Sequence, residues 1–202
     1  MGIRKLWGVA LCASFSLALF SGAASAQQAD EPGLDVGELA PEFEAVADNG
    51  EVWRSSEARD GKLLVVYFYP AAMTGGCITQ ACLFRDNRSK LLDMGAEVVG
   101  VSGDRVANLR AFKGANRLNF PLLSDTTGAI AAAFGVPVGD GGTITRNVDG
   151  EEITLTRDVT TARWTFVIDK SGKIVYRDTE VKAADDAEKV LSVVKKLKSQ
   201  ES

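Results

Sequence analysis

Apolar and polar positions along the chain fall into two rhythms, one of strands and one of helices. The run LLVVYFY at 63–69 is continuously apolar and rich in β-branched and aromatic residues, which predicts a strand buried on both faces, ended by Pro70. From Cys77 to Met94 the apolar positions Ile78, Ala81, Cys82, Phe84, Leu91 and Leu92 recur at helical spacing, and Gly95 follows as a stop. EVVGVSG at 97–103 reads as a second buried strand, so the three segments form a β-α-β unit. The pattern continues with a helix at 107–116, a short strand in FPLLSD at 120–125 and a helix in TGAIAAAFG. Two hairpins follow, a polar one at 143–159 around Asp149-Gly150 and a second at 164–178 turning at Ser171-Gly172. A last helix from about Asp185 to Lys198 has acid at its start, lysines at its end and Val190, Leu191, Val194 and Leu197 on one face. Upstream, VGELAPEF at 36–43 leads into a turn in DNGEVW, with Gly50 supplying a positive backbone angle. The expected architecture is α/β, a central mixed sheet flanked by helices.

The first 26 residues obey neither rhythm. Arg4 and Lys5 precede an apolar run from Gly8 to Phe20, and Ala24-Ser25-Ala26 offers a small-residue cleavage site before Gln27. This predicts an export signal over 1–26, a linker over 27–33 and one domain over 34–198, in a chain that is exported and periplasmic if the cell is Gram-negative. The apolar run is shorter than the ~20 residues of a spanning helix, so no membrane span is expected. Cys12 lies inside that run and reads as filler that leaves with the signal. Removing the segment takes two bases and no acid, leaving 21 basic against 27 acidic residues and a net charge of −6. Nucleic acid is therefore not an expected partner.

Two cysteines survive, Cys77 and Cys82, in a compartment where disulfides persist. The chain holds no histidine, which excludes Cys-His and Ser-His nucleophilic sites and the common His-containing metal sites. Two thiols alone make a poor metal site, and no metal or cofactor is expected. GVSGD at 100–104 lacks the last glycine of a hydrolase elbow and reads as a strand end and turn. Asn87-Arg88-Ser89 matches a glycosylation sequon on a predicted helix and reads as a chance match. Cys77 opens its helix, where unpaired amides and the dipole favour a thiolate. Gly75 and Gly76 allow a tight turn there, and Thr74 adds a hydroxyl that donates and accepts. Without histidine, further activation needs a fixed cation.

Pro70-x-x-x-Thr74-x-x-Cys77 resembles the peroxiredoxin signature, and Cys77-x4-Cys82 followed by Phe84-Arg85-Asp86 is similar to the Q-type, or bacterioferritin comigratory protein, subgroup. VGELAPEF, EVVGVSGD, FPLLSD and ARWTFVIDKSGKIVY resemble further family blocks, so the likeness runs from 36 to about 195. It implies a thioredoxin-like fold and reduction of hydrogen peroxide or organic hydroperoxides. Cys77 would be the peroxidatic residue, Cys82 the resolving one, and Arg163, which the resemblance alone singles out among the arginines, the activating cation. Thr74 would hold the peroxide, and Pro70 would cover the sulfur and limit water. The implied partners are a peroxide and a thioredoxin-like protein or other dithiol reductant, with the enzyme a monomer or weak homodimer. Gln80 stands where the family usually has glutamate and Gly75 where proline is common, which predicts a weaker hold on Arg163 or Arg85 and a lower rate.

Three other readings compete. A stabilising disulfide is disfavoured because so short a loop restrains the unfolded chain little. A thiol-disulfide exchanger acting on proteins uses the tighter C-x-x-C spacing. An idle binding module with this fold would be expected to lose the Thr74, Cys77 and Arg163 set. Helix geometry adds an expectation: Cα atoms five residues apart lie roughly 8 to 9 Å from each other, whereas a disulfide needs less than about 7 Å. The helix must unwind locally for Cys77 to reach Cys82.

Overall fold

The computed structural model describes residues 1–2, 33–148 and 150–200. The described residues from Gly33 onward belong to one compact unit, Pro32–Ser202. The expected export signal and nearly all of the linker lie outside the described residues, apart from Met1, Gly2 and Gly33. Among those described, no helix is long and apolar enough to cross a membrane.

In chain order this unit contains β1 (Glu44–Ala47), β2 (Val52–Arg54), α1 (Ser55–Ala58), β3 (Leu63–Phe68), α2 (Gly75–Asp93), β4 (Ala96–Ser102) and α3 (Val106–Asn116). It continues with β5 (Leu122–Ser124), α4 (Ala129–Ala133), β6 (Val138–Val148), β7 (Glu151–Thr161), β8 (Thr165–Ile168), β9 (Ile174–Asp178) and α5 (Asp186–Gln200). Seven strands form one mixed sheet in the order β2-β1-β5-β4-β3-β8-β9. β4 runs parallel to β3 and to β5, and β8 runs antiparallel to β3 with Tyr67 opposite Thr165. β6 and β7 form a separate two-stranded sheet, and an isolated bridge joins Arg157 of β7 to Asp104 just past β4.

The expected strand buried on both faces is β3, and its residues alternate between two cores. Leu63, Val65 and Tyr67 join Ala81, Phe84 and Leu91 of α2, Phe112 of α3 and Val190 and Val194 of α5. Leu64, Val66 and Phe68 face the other way, onto Ile130 and Phe134 near α4, Trp164 and Phe166. Helices therefore cover both faces of the sheet, as the alternation of elements predicted. Gly95, at φ +75, ends the α2 segment in the left-handed region that glycine tolerates.

The polar hairpin is longer than the 143–159 expected from the sequence. Its strands run in register from Val138 opposite Thr161 to Val148 opposite Glu151. Glycines and aspartate at 139–142 hide the first strand's start from any periodicity reading. The hairpin is also less polar on one side than its composition suggests: Leu155 is buried, and Ile144, Val148 and Ile153 pack on the same core as α2. Asn87 is buried in the middle of α2 and donates to Leu83 O and Glu188 Oε1, so the sequon is a chance match.

Candidate active site

β3 delivers the chain to Tyr69 and Pro70, and a loop of four residues then leads into α2. That loop is held from below by Asp104, a buried carboxylate just past β4. Its Oδ2 accepts from the Ala72 amide at 2.7 Å and from Ser102 Oγ at 3.0 Å, and its Oδ1 accepts from Asn108 Nδ2 at 3.3 Å. Burial pushes this carboxyl up from its ordinary range, against the pull of those donors. The GVSGD segment that resembled a broken hydrolase elbow thus ends in a loop anchor. Met73 adopts φ +61, an uncommon conformation for a residue with a side chain. From the hairpin, Arg146 Nε donates to its carbonyl at 3.0 Å.

Thr74 is the residue before the first helical turn, with φ −99 and ψ 148. Its hydroxyl does not cap α2; it donates to Ala71 O at 2.9 Å, which leaves its lone pairs to accept from a ligand. The first intrahelical bond runs from the Ile78 amide to Thr74 O, so the amides of Gly75, Gly76 and Cys77 precede it. Cys77 sits in that first turn with its side chain packed into the core at 1% exposure, under two exposed glycines. A Cβ on Gly76 would meet Arg163 Nη2 at 3.5 Å, an ordinary van der Waals contact, so the guanidinium lies against the backbone of this first turn.

Arg163 comes from the segment between β7 and β8. Because β8 is antiparallel to β3, its beginning lies beside the end of β3, and this brings Arg163 across 86 residues to the thiol. Arg163 Nη2 stands 3.3 Å from Cys77 Sγ, while Nη1 donates to Gln80 Oε1. Gln80, three residues after Cys77 and fully buried, donates through Nε2 to Asp186 Oδ2 at 2.7 Å. Thr165 Oγ1 donates to the same oxygen at 2.9 Å. The weaker hold expected from glutamine therefore has a counterpart that sequence reasoning missed: a carboxylate one residue further out. Arg85, the other cation considered for Gln80, is engaged elsewhere, with Asp86 Oδ1 at 2.8 Å and Asn116 O at 2.6 Å.

Cys82 is half-buried and, like Cys77, is a free thiol. Both lie in the unbroken α2, where five steps of ~100° place them about 140° apart around the axis. The five expected residues, Pro70, Thr74, Cys77, Cys82 and Arg163, therefore fall into two groups. Thr74 and Cys77 sit at the start of α2 with the Arg163 guanidinium beside the thiol, Pro70 is the half-buried residue that opens the loop, and Cys82 lies on another side of the helix. Among the described residues no cluster of His, Cys, Asp or Glu is arranged to hold a metal.

The AhpC/TSA family model matches residues 36–177, which include every one of these positions. The chain belongs to the AhpC/TSA family of peroxiredoxins. It is 34% identical over 164 residues to the peroxiredoxin Bcp of Bacillus subtilis, a match spanning 81% of this chain and 97% of the relative. A putative peroxiredoxin of Mycobacterium tuberculosis is 38% identical over 157 residues, 78% of this chain and 92% of its own. Among solved structures, the crystal structure of peroxidoxin BcpB from M. tuberculosis superposes with a TM-score of 0.67 at 33% identity, covering 81% of this chain and 97% of that one. The Xanthomonas campestris bacterioferritin comigratory protein superposes with a TM-score of 0.66 at 28% identity, covering 81% and 99%. The fold of this peroxiredoxin is thus the thioredoxin-like one of its relatives, and its activity is that of a thiol-dependent peroxidase, an oxidoreductase.

Proposed function

We propose that this peroxiredoxin reduces hydrogen peroxide and organic hydroperoxides through a sulfenic acid on Cys77, which Cys82 resolves as an intramolecular disulfide. The observation that carries the reading is the guanidinium of Arg163, 3.3 Å from Cys77 Sγ and fixed at its other end by Gln80. A peroxide entering between Thr74 and Arg163 would accept from the guanidinium and from the free amides of the helix start, while its own O–H donates to Thr74 Oγ1. The Cys77 thiolate then attacks the nearer oxygen in line, the O–O bond breaks, and the departing oxygen takes up a proton to leave as water or alcohol. Charge moving onto that oxygen is met by donors already in place. Cys77 becomes S–OH; attack by the Cys82 thiolate forms the S–S bond and releases water. A dithiol protein of thioredoxin type would reduce the disulfide. The relative from X. campestris is described as having alkyl peroxide reduction activity, which supports including organic hydroperoxides.

Stoichiometric hydrogen peroxide added to the reduced protein tests this. Fast loss of both thiols in wild type, a trapped sulfenic acid in Cys82→Ser and a slow background reaction in Cys77→Ser are expected. Equal slow rates in all three would leave the two cysteines as structural.

Residues 1–26 would direct export, so that the working enzyme, a monomer or weak homodimer, meets an exported thioredoxin-like reductant. Support comes from the basic start, apolar run and Ala-Ser-Ala site of the sequence. A protein recovered from the cell envelope with Gln27 as its first residue is expected; recovery from the cytosol with residues 1–26 intact would overturn the assignment.

A further inference from the structure

Asp186 is placed where a carboxylate is hard to justify on stability alone. It is the first residue of α5 and is fully buried. Oδ2 accepts from Gln80 and Thr165, but Oδ1 is buried without a hydrogen-bond partner. Burying an acid with one oxygen unsatisfied opposes folding. Burial accordingly pushes its carboxyl up, against the pull of Gln80 and Thr165; Asp178 adds to the push, and Lys189, itself paired to Asp178 at 3.0 Å, opposes it. An asparagine of the same shape would relieve the charge and could give Oδ1's place to a weaker dipole.

The gain lies in what Asp186 does to its neighbour. The side-chain amide of Gln80 has two ends, and turning it over would present its NH2 to the Arg163 guanidinium, donor against donor. A carboxylate oxygen 2.7 Å from Nε2 accepts only from that end, so it fixes Oε1 toward Arg163. The chain of contacts then runs from Asp186 through Gln80 and Arg163 to Cys77 Sγ, and every link is charge-assisted or is polarised by one that is.

We propose that Asp186 is the positioning residue for the catalytic arginine, supplying through Gln80 the carboxylate that position 80 itself lacks. The inference rests on the reading of Arg163 as the cation that serves Cys77, and the experiment separates the two. It is a double-mutant cycle, read as the second-order rate of Cys77 oxidation by hydrogen peroxide in the reduced protein. Asp186→Asn exchanges a hydrogen bond to a charged group for a neutral one and is expected to slow oxidation about 10-fold. Gln80→Glu sets a second carboxylate against Asp186 and is expected to slow it by at least as much. The double variant Gln80→Glu with Asp186→Asn restores one carboxylate on the arginine and one amide behind it, and its rate should return to within about 3-fold of wild type, by the same equivalence of interactions.

A merely structural Asp186 would instead give a double variant slower than either single one, and that result overturns the proposal. Thermal midpoints accompany the rates, with Asp186→Asn expected at or above wild type. Should Asp186→Asn fold poorly, Asp186→Ala replaces it, and adding Gln80→Glu to it should then raise the rate; no rise would overturn the proposal. Arg163→Ala is the control: a rate equal to wild type would remove the catalytic reading itself, whereas a large loss together with an additive cycle would remove only the role of Asp186.

Discussion

Oxidation of the two thiols to a disulfide perturbs α2 in a way its geometry makes calculable. Cys77 and Cys82 share one continuous helix, where their Cα atoms lie roughly 8 to 9 Å apart on different faces; a disulfide brings Cα atoms to about 5.5 Å. Residues 75–82 must leave the helix, and with them go the acceptors for amides up to Asp86. Lost hydrogen bonds and regained backbone freedom are opposed and of similar size, so side-chain packing decides where unwinding stops. Gly75, Gly76 and Thr79 are exposed and Ala81 is small, so up to that point the resistance comes from buried Cys77 and from buried Gln80 held between Arg163 and Asp186. Phe84 is fully buried and stacks on Tyr67 with ring centroids 4.8 Å apart. Exposing it would cost ~1.5–3 kcal/mol, which holds the population unwound past it to about one tenth to one hundredth. Hydrogen exchange followed by mass spectrometry should show protection lost over 75–86 in the disulfide form and retained over 87–93. Equal protection of 75–86 in the reduced form and in a form whose disulfide is confirmed by mass would refute the geometry.

Arg146→Ala should slow Cys77 oxidation by about 10-fold and lower the thermal midpoint by several degrees, because it removes the charge-assisted bond to Met73 O that holds the loop before Thr74. Stopped-flow thiol loss against peroxide concentration checks it, and a rate equal to wild type would detach the hairpin from the chemistry. Asp169 gives a pH prediction. Burial pushes its carboxyl up, but Ser171 Oγ and the amides of Ser171, Gly172 and Lys173 outweigh that and hold it below its ordinary 3.8. A depressed value means stability present above about that pH and lost as pH falls through the lower folded value. Thermal midpoints measured from pH 5 down to about pH 2 should fall more steeply for wild type than for Asp169→Asn; parallel curves would exclude the contribution.

How much of this was legible in the sequence depends on the range of the interaction. β3, α2 and β4 were plain because each is longer than its own period and is punctuated by Pro70 and Gly95, signals carried within a few residues. Cys77 was legible for the same reason. α1, four residues beside the β2 edge, has no period to read. Arg163 and Gln80 were visible only through the family resemblance, and Asp186 not at all, since 106 residues separate it from Gln80 and an acid at a helix start reads as ordinary dipole compensation. Asp104 was missed because its partners are a backbone amide and two small polar side chains that no spacing rule connects. A lone acid following a strand, buried once the fold forms, has no local signature.

The proposed mechanism sets two demands that oppose each other, and the chain assigns them to different residues. Peroxide must meet a thiol, a guanidinium and a hydroxyl already in position, which favours a rigid mouth. The Cys77 sulfenic acid would then have to leave that site to reach Cys82, which favours a helix that gives way. Rigidity comes from outside α2: Asp104 beneath the loop, Arg146 from the hairpin, and Asp186 behind Gln80. The first turn of α2 itself carries two adjacent exposed glycines, the residue that weakens a helix most after proline. Contacts that hold the reduced turn in place act on Cys77 and Gln80 through Arg163, and the proposed conversion of Cys77 to S–OH would change the sulfur end of that chain. On the proposed mechanism the oxidation step itself would therefore weaken the hold on the turn, and release of the helix would follow without a separate trigger.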